Sequence, residues 1–213
     1  MSEYSLSRLH GMEQRRRRVP ALQPEERRAA LIEATIPLLH EHGLEVSTRQ
    51  IASAAGVAEG TIFGVFESKS QLVVCSVIKA LDPQPDIDSL AAIDRSAPLH
   101  ERVTAAAELV HRRFTERAHL MHAARKLIMV GEQDPATMAQ MAAGREAISA
   151  AVTAVFEPDA AVLRVTPAKA ARLLLLFCGA NTFGPYGEPD SFSGADLASL
   201  LLDGIHIKES PTC

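Results

Sequence analysis

Three cysteines are all that the 213-residue chain contains, and Cys75, Cys178 and Cys213 are scattered and odd in number. Such spacing suggests neither a disulfide framework nor a CxxC metal site. No apolar run approaches the roughly 20 residues needed to span a bilayer as a helix, so no membrane partner is expected. The opening "MSEYSLSRLHGMEQRRRR" is polar and basic and lacks the apolar core of a secretory signal, and a soluble, cytoplasmic protein is expected. G-x-S-x-G, Walker A and G-x-G-x-x-G are missing, and "HEHG" at 40–43 lacks the H-E-x-x-H spacing. Neither catalysis nor a cofactor is expected. Strand alternation and hairpin signals are absent too, which predicts an all-α chain.

What is present is 47% hydrophobic residues, enough for a real core, over a length that suits one large domain or a small one joined to a larger. Net charge is −4, which argues against a nucleic-acid partner until its distribution is considered. Residues 1–70 carry nine Lys/Arg and nine Asp/Glu, while the rest carry thirteen and seventeen, so the deficit lies wholly in the C-terminal part. Arg15, Arg16, Arg17 and Arg18 form an unbroken basic run within the neutral part. Two readings of it stand: a solvated tail, or an arm that reaches a groove or phosphates.

"PEERRAALIEATIPLLHEHG" places apolar residues at 31, 32, 36, 38 and 39, a helical period, with Pro24 in the first turn and Gly43 as a stop. Pro37 should kink its last turns. Ser47 and Gln50 form a capping box for a second helix that ends near Gly56 after about two turns. A third short helix is predicted over Ala58 to Val65, and Ser68 with Gln71 caps a long fourth one. Two short helices around a glycine turn are helix-turn-helix grammar, in which the second can enter a major groove. Val57, Ile62 and Phe66 would hold it down, leaving Glu59, Gly60, Thr61, Phe63 and Val65 on or near its outer side. Thr61 offers a hydroxyl, and Lys69 can hold a phosphate as a point charge at a helix N-terminus.

The string "ATIPLLHEHGLEVSTRQIASAAGVAEGTIFGVFESKSQL" resembles the DNA-binding domain of the tetracycline-repressor (TetR) family, over about residues 25–75. The resemblance implies that Thr48 and Arg49 reach the phosphate backbone or a base edge. It places Glu59 and Thr61 at the groove and Lys69 on a phosphate. The chain departs from the family pattern at Phe63, where tyrosine is usual, and at Val65, where histidine or tyrosine is usual. For Glu59 two readings stand: acceptor for a cytosine amino group, or favourable charge at a helix N-terminus.

"LDPQPDIDS" (81–89) reads as punctuation that ends the fourth helix and marks a domain boundary. Helices are predicted at about 98–117, 119–131, 135–156, 167–183 and 195–207, with Asp134-Pro135 and Thr166-Pro167 as cap followed by proline. The chain thus divides into a basic arm (1–20), a helix-turn-helix domain (21–81) and a helical effector-binding and dimerisation domain (82–213). "AARLLLLFCGANTF" is apolar nearly all round and must be buried on most sides. Resemblance to the family implies a homodimer through the last two helices, using Leu173, Leu174, Phe177, Leu197, Leu200 and Leu201. A core helix of a monomer is the alternative for the first of these segments.

A pocket for a small-molecule effector is expected among the middle helices. Its candidate walls are His111, Phe114, Met121, His122 and Met129, with Met138, Met141, Phe177 and Asn181, although methionines at helical spacing also suit plain core. With few fixed charges in that set, an apolar or amphipathic effector is expected. His119 and His122 are three apart but have no third ligand beside them, so no metal is expected. Cys178 sits in an apolar run and reads as a core filler. The whole points to a ligand-responsive DNA-binding regulator, a repressor released from palindromic double-stranded operator DNA by its effector. Two rivals are a helical small-molecule enzyme whose N-terminal motif only packs, and an effector-independent architectural DNA binder.

Overall fold

A computed structural model describes residues 23–130, 135–185, 187–188 and 192–205, leaving aside the side chains of 127–130. Among the described residues the chain is all-α, with no strand. Helix α1 (Pro24–His42) opens with the Gln23 N–H donating to Glu26 Oε2 at 3.0 Å. It runs continuously through Pro37, which is exposed, as is Glu33 one turn earlier. The carbonyl that loses its partner there belongs to an exposed residue, where water can satisfy it, so the proline is tolerated.

Helix α2 (Thr48–Ala55) is capped as its sequence dictates: Ser47 Oγ accepts from the Gln50 N–H at 3.2 Å, and the Ser47 N–H donates to Gln50 Oε1 at 2.8 Å. It stops at Gly56, whose φ of 66° lies in the left-handed region that glycine enters without steric penalty. The Val57 and Gly56 amides then bond back to the Ala52 and Ser53 carbonyls at 3.0 and 3.2 Å, closing the helix. The expected third helix over 58–65 is instead a 3-10 turn, Glu59–Gly64. Two glycines in six residues weaken an α-helix there, and a short 3-10 segment suffices. Helix α3 (Lys69–Ala80) opens at Ser68, whose Oγ accepts from the Gln71 N–H at 3.1 Å. The reciprocal half of that capping box is missing, because Gln71 Oε1 accepts from the Glu67 N–H at 2.9 Å.

These elements enclose a first core that includes Leu31, Leu39, Val46, Ile51, Ile62, Phe66, Leu72 and Val77, all buried. It is completed by Leu120, Ala123 and Ala124 of α6 (Ala118–Val130), a helix from the C-terminal part of the chain. The segment 81–89, expected as punctuation, carries a helix, α4 (Gln84–Ala91). Its prolines fall at and before the first turn, where no amide donor is needed, and Asp82 Oδ1 accepts from the Gln84 N–H at 3.1 Å. Leu90 is buried in the second core and Ile87 packs against it.

That second core is built by α5 (Leu99–Glu116), α7 (Pro135–Phe156), α8 (Pro167–Phe183) and α9 (Gly194–Ile205), close to the expected extents. Asp134 and residues 206–207 lie outside the described residues. Thr166 Oγ1 caps α8 by accepting from the Lys169 N–H at 3.3 Å. Helix α9 begins directly on the α5 backbone: a Cβ on Gly194 would stand 2.5 Å from the Glu108 nitrogen, and Glu108 Oε1 accepts from the Ala195 N–H at 2.8 Å. Among the described residues no helix is long and apolar enough to cross a membrane.

Candidate nucleic-acid interface and the cavity behind it

The turn Glu59–Gly64 rests on the first core through Ile62, which is fully buried, so its other residues are presented outward. Arg49, Glu59, Gly60 and Phe63 are exposed, Phe63 by 54%. Thr48, Thr61 and Lys69 are half-buried. The Thr48 hydroxyl donates to a Glu59 carboxylate oxygen, joining the start of α2 to the start of the turn. Lys69 Nζ donates to the Leu44 carbonyl at 3.2 Å, which holds the ammonium at the head of α3. Val65, expected on the outer side, is half-buried against the first core, because the chain turns back there toward Phe66. Arg15–Arg18 lie outside the described residues.

One residue that the pattern did not single out supports this surface from behind. The Arg28 guanidinium stacks 4.2 Å from the centroid of the Phe66 ring. It also donates to the Val65 carbonyl at 2.9 Å and to Cys75 Sγ at 3.2 Å. Arg28 thus ties α1 to both the turn and α3. Its spacing of three and seven from Leu31 and Thr35, both buried, was the available signal.

Behind the turn, at the far end of α3, lies a cavity of about 710 Å³. Its walls come from the end of α3 and the junction after it (Ile78, Lys79, Leu81, Asp82, Pro83), from α5 and α6, from α7, and from Leu175 of α8. Phe114, Met121 and Met141, three of the candidate wall residues, line it. The structure places others elsewhere. His122 is exposed, as is Phe177 on the outer face of α8, and Met138 and the half-buried His111 stand off the walls. Asn181 is buried and its Nδ2 donates to the Phe192 carbonyl at 3.3 Å, bracing a loop. Met129's side chain lies outside the described residues. The expectation of few fixed charges is overturned, since Lys79, Asp82, Arg113, Arg125 and Arg145 are all on the walls.

Arg113 is fastened in place. It pairs with Asp86, and its Nη2 donates to the Leu81 carbonyl at 3.0 Å. Arg117 adds a 2.8 Å bond to the same carboxylate. Burial pushes the Arg113 guanidinium below its ordinary pKa, opposed by the Asp86 charge. Arg113 of α5, Arg117 at its C-cap and Asp86 of α4 therefore clamp the chain where α3 ends.

On α8 and α9 the six expected interface residues divide. Leu174, Leu197 and Leu201 are buried within the chain itself, because each faces the second core. Leu173 is partly buried against that core. Leu200, at 57% exposed, and Phe177, at 39%, face outward, and they are joined by Leu176 at 57%, one helical step from Leu173. His119 and His122 are both exposed, and among the described residues no group of three His, Cys, Asp or Glu could hold a metal ion.

Residues 31–74 match the family model described as "Bacterial regulatory proteins, tetR family". Over most of its length the chain also resembles solved structures. A protein of Mesorhizobium loti assigned to the TetR-family transcriptional regulators is 15% identical, with 87% of this chain and 100% of that one covered and a TM-score of 0.66. The TetR-family regulator PfmR of Thermus thermophilus is 21% identical over 81% and 94% of the two chains, with a TM-score of 0.58. SmeT, solved as a complex with triclosan, is 17% identical over 85% and 92%, with a TM-score of 0.56. At these identities the likeness is one of fold. Residues 31–74 therefore carry a helix-turn-helix of the kind found in tetR-family regulatory proteins, joined to a helical body. The chain is thus similar to TetR-family regulators, by a matched family model over residues 31–74 and by fold over most of its length.

Proposed function

We propose that the protein is a homodimeric, cytoplasmic, non-enzymatic repressor that leaves a palindromic operator when a small molecule fills the cavity. In this reading residues 21–81 bind DNA and 82–213 sense the effector and dimerise. Thr48, Arg49, Glu59, Thr61 and Phe63 meet the groove, and Lys69 holds a phosphate. The observation that carries the reading is the span of α3. Its first residue is Lys69, and its last turn with the following junction forms one wall of the cavity. An occupant therefore presses on the same helix that stands beside the DNA-facing turn. SmeT's complex with triclosan supports a small-molecule effector in this fold. The exposed apolar residues Leu176, Phe177 and Leu200 support pairing of α8 and α9 with a second copy.

Release requires that the effector bind the two arrangements of the dimer with different affinity, since tight binding alone shifts nothing. The test begins with a duplex selected from a random-sequence pool by the full chain. A compound screen then reads thermal stability and affinity for that duplex together. Stabilising compounds should release the duplex over the same concentration range. Several stabilising ligands with no effect on DNA affinity would remove the coupling from this reading.

A further inference from the structure

The cavity is mostly apolar, yet its walls carry four cations (Lys79, Arg113, Arg125 and Arg145) against one carboxylate, Asp82. This runs against the chain as a whole, whose net charge is −4. Arg113 is committed to Asp86 and to the Leu81 carbonyl. Lys79, Arg125 and Arg145 have no ion-pair partner among the described residues, and all three reach solvent at the cavity rim. Asp82 is itself engaged by the Gln84 amide. The apolar part of the wall, with Phe114, Met121, Met141, Ile148 and Leu175, offers no acceptor to these cations.

From this arrangement we infer that the cavity takes an anionic amphiphile. Its apolar body lies against Phe114, Met121, Met141 and Ile148, and its anionic head is held by Arg125 of α6 and Arg145 of α7. Like charges lining one partly enclosed space repel, and an anion between them removes that repulsion while gaining charge-assisted hydrogen bonds. Arginine suits the role, because its planar fork grips a carboxylate or phosphate through two parallel bonds. A cavity of this volume falls in the range of sites that enclose most of a small ligand. The inference rests on the reading of this cavity as the effector site, and it adds the chemical class of the occupant.

Four probes with one apolar chain test it on the full-length protein by titration calorimetry, below their micelle concentrations: dodecanoate, dodecyl phosphate, dodecanol and dodecylamine. At least one anion should bind about tenfold or more tightly than the alcohol, and the amine more weakly than either. Whichever anion leads distinguishes a carboxylate head from a phosphate head. In the double variant Arg125→Met, Arg145→Met, which keeps two apolar stems of similar length, the anion should fall to the affinity of the alcohol and the alcohol should hold its own. Both positions are exposed, so folding should survive; the single variants Arg125→Met and Arg145→Met serve where the double does not express. Equal affinity for anion and alcohol, a preference that outlives the substitutions, or no saturable binding of any probe would overturn the inference. The selected duplex separates this from the parent reading. Anion binding that leaves DNA affinity unchanged keeps the site and removes its effector role. Release by the alcohol alone keeps the effector role and removes the anion site.

Discussion

The Thr48 hydroxyl donates a hydrogen bond to the Glu59 carboxylate, so the first residue of α2 and the first residue of the 3-10 turn Glu59–Gly64 are held by one contact. Both lie on the surface proposed to meet DNA, and the carboxylate there would face a wall of phosphates. Replacing Glu59 by Gln keeps an acceptor for Thr48 and removes the charge. A unit charge 4 Å from a phosphate in water is worth about 1 kcal/mol, so Glu59→Gln should tighten binding to unselected duplex by about fivefold at low salt. Anisotropy titrations at two salt concentrations check this. No change at either would place Glu59 away from the backbone.

Phe63 is 54% exposed on the turn proposed to meet DNA. Phe63→Tyr adds the hydroxyl that the family pattern expects and leaves the packing of Ile62 and Phe66 untouched. A hydrogen bond to a charged group contributes about 1.5–3 kcal/mol, so both selected and unselected duplex should bind at least tenfold more tightly. Unchanged affinity would mean that the turn docks in another orientation, and the roles proposed for its residues would be withdrawn.

Leu200 and Leu174 separate folding from association. Leu200 is 57% exposed in the single chain, so if the proposed dimer forms, Leu200→Glu should give folded monomers. Leu174 is fully buried, and Leu174→Glu places a charge in the second core, so it should prevent folding. Sedimentation velocity at micromolar concentration distinguishes these outcomes. A wild-type monomer under the same conditions would refute the proposed dimer.

Gly144 and Gly194 should respond to alanine with opposite signs. A Cβ at Gly144, inside α7, meets Pro83 Cγ at 3.6 Å, an ordinary contact. Gly144→Ala should stabilise by about 0.5–1 kcal/mol through helix propensity alone. At Gly194 the same atom would lie 2.5 Å from the Glu108 nitrogen, and α9 would have to lift off α5. Gly194→Ala should destabilise by about 1–3 kcal/mol. Urea midpoints measure both, and a neutral Gly194→Ala would show that α9 does not rest on the α5 backbone.

Cys178 is fully buried, and burial pushes its thiol from the ordinary 9.0 up to about 12. The charged form is the thiolate, so the unfolded chain loses this proton first. The contribution to stability is complete below about pH 9 and disappears as pH rises toward 12. Iodoacetamide at pH 8 should leave the Cys178 peptide unmodified in the native protein and label it fully in urea. Native labelling would mean that α8 opens locally.

Much of this was legible because it is local. Ser47 with Gln50, Gly56, and the period of Leu31 and Leu39 specify caps, stops and a buried stripe through neighbours within a few residues. The same locality gave the extents of α5 to α9 to within a residue or two. The proline-rich segment after α3 misled for a related reason: proline and aspartate mark a helix start as well as a loop, and only the packing of Ile87 and Leu90 on the second core selects the helix α4. What touches what across the chain was not local. The positions of Leu120, Ala123 and Ala124 in the first core depend on how α6 lies across α1 and α3. Leu174 and Leu200 look alike in an apolar run, yet one fills the core and the other faces out, because helix rotation is set by neighbouring helices. Likewise Arg125 and Arg145 are ordinary surface arginines in the sequence. They become two sides of one cavity only because α6 and α7 converge beside the end of α3.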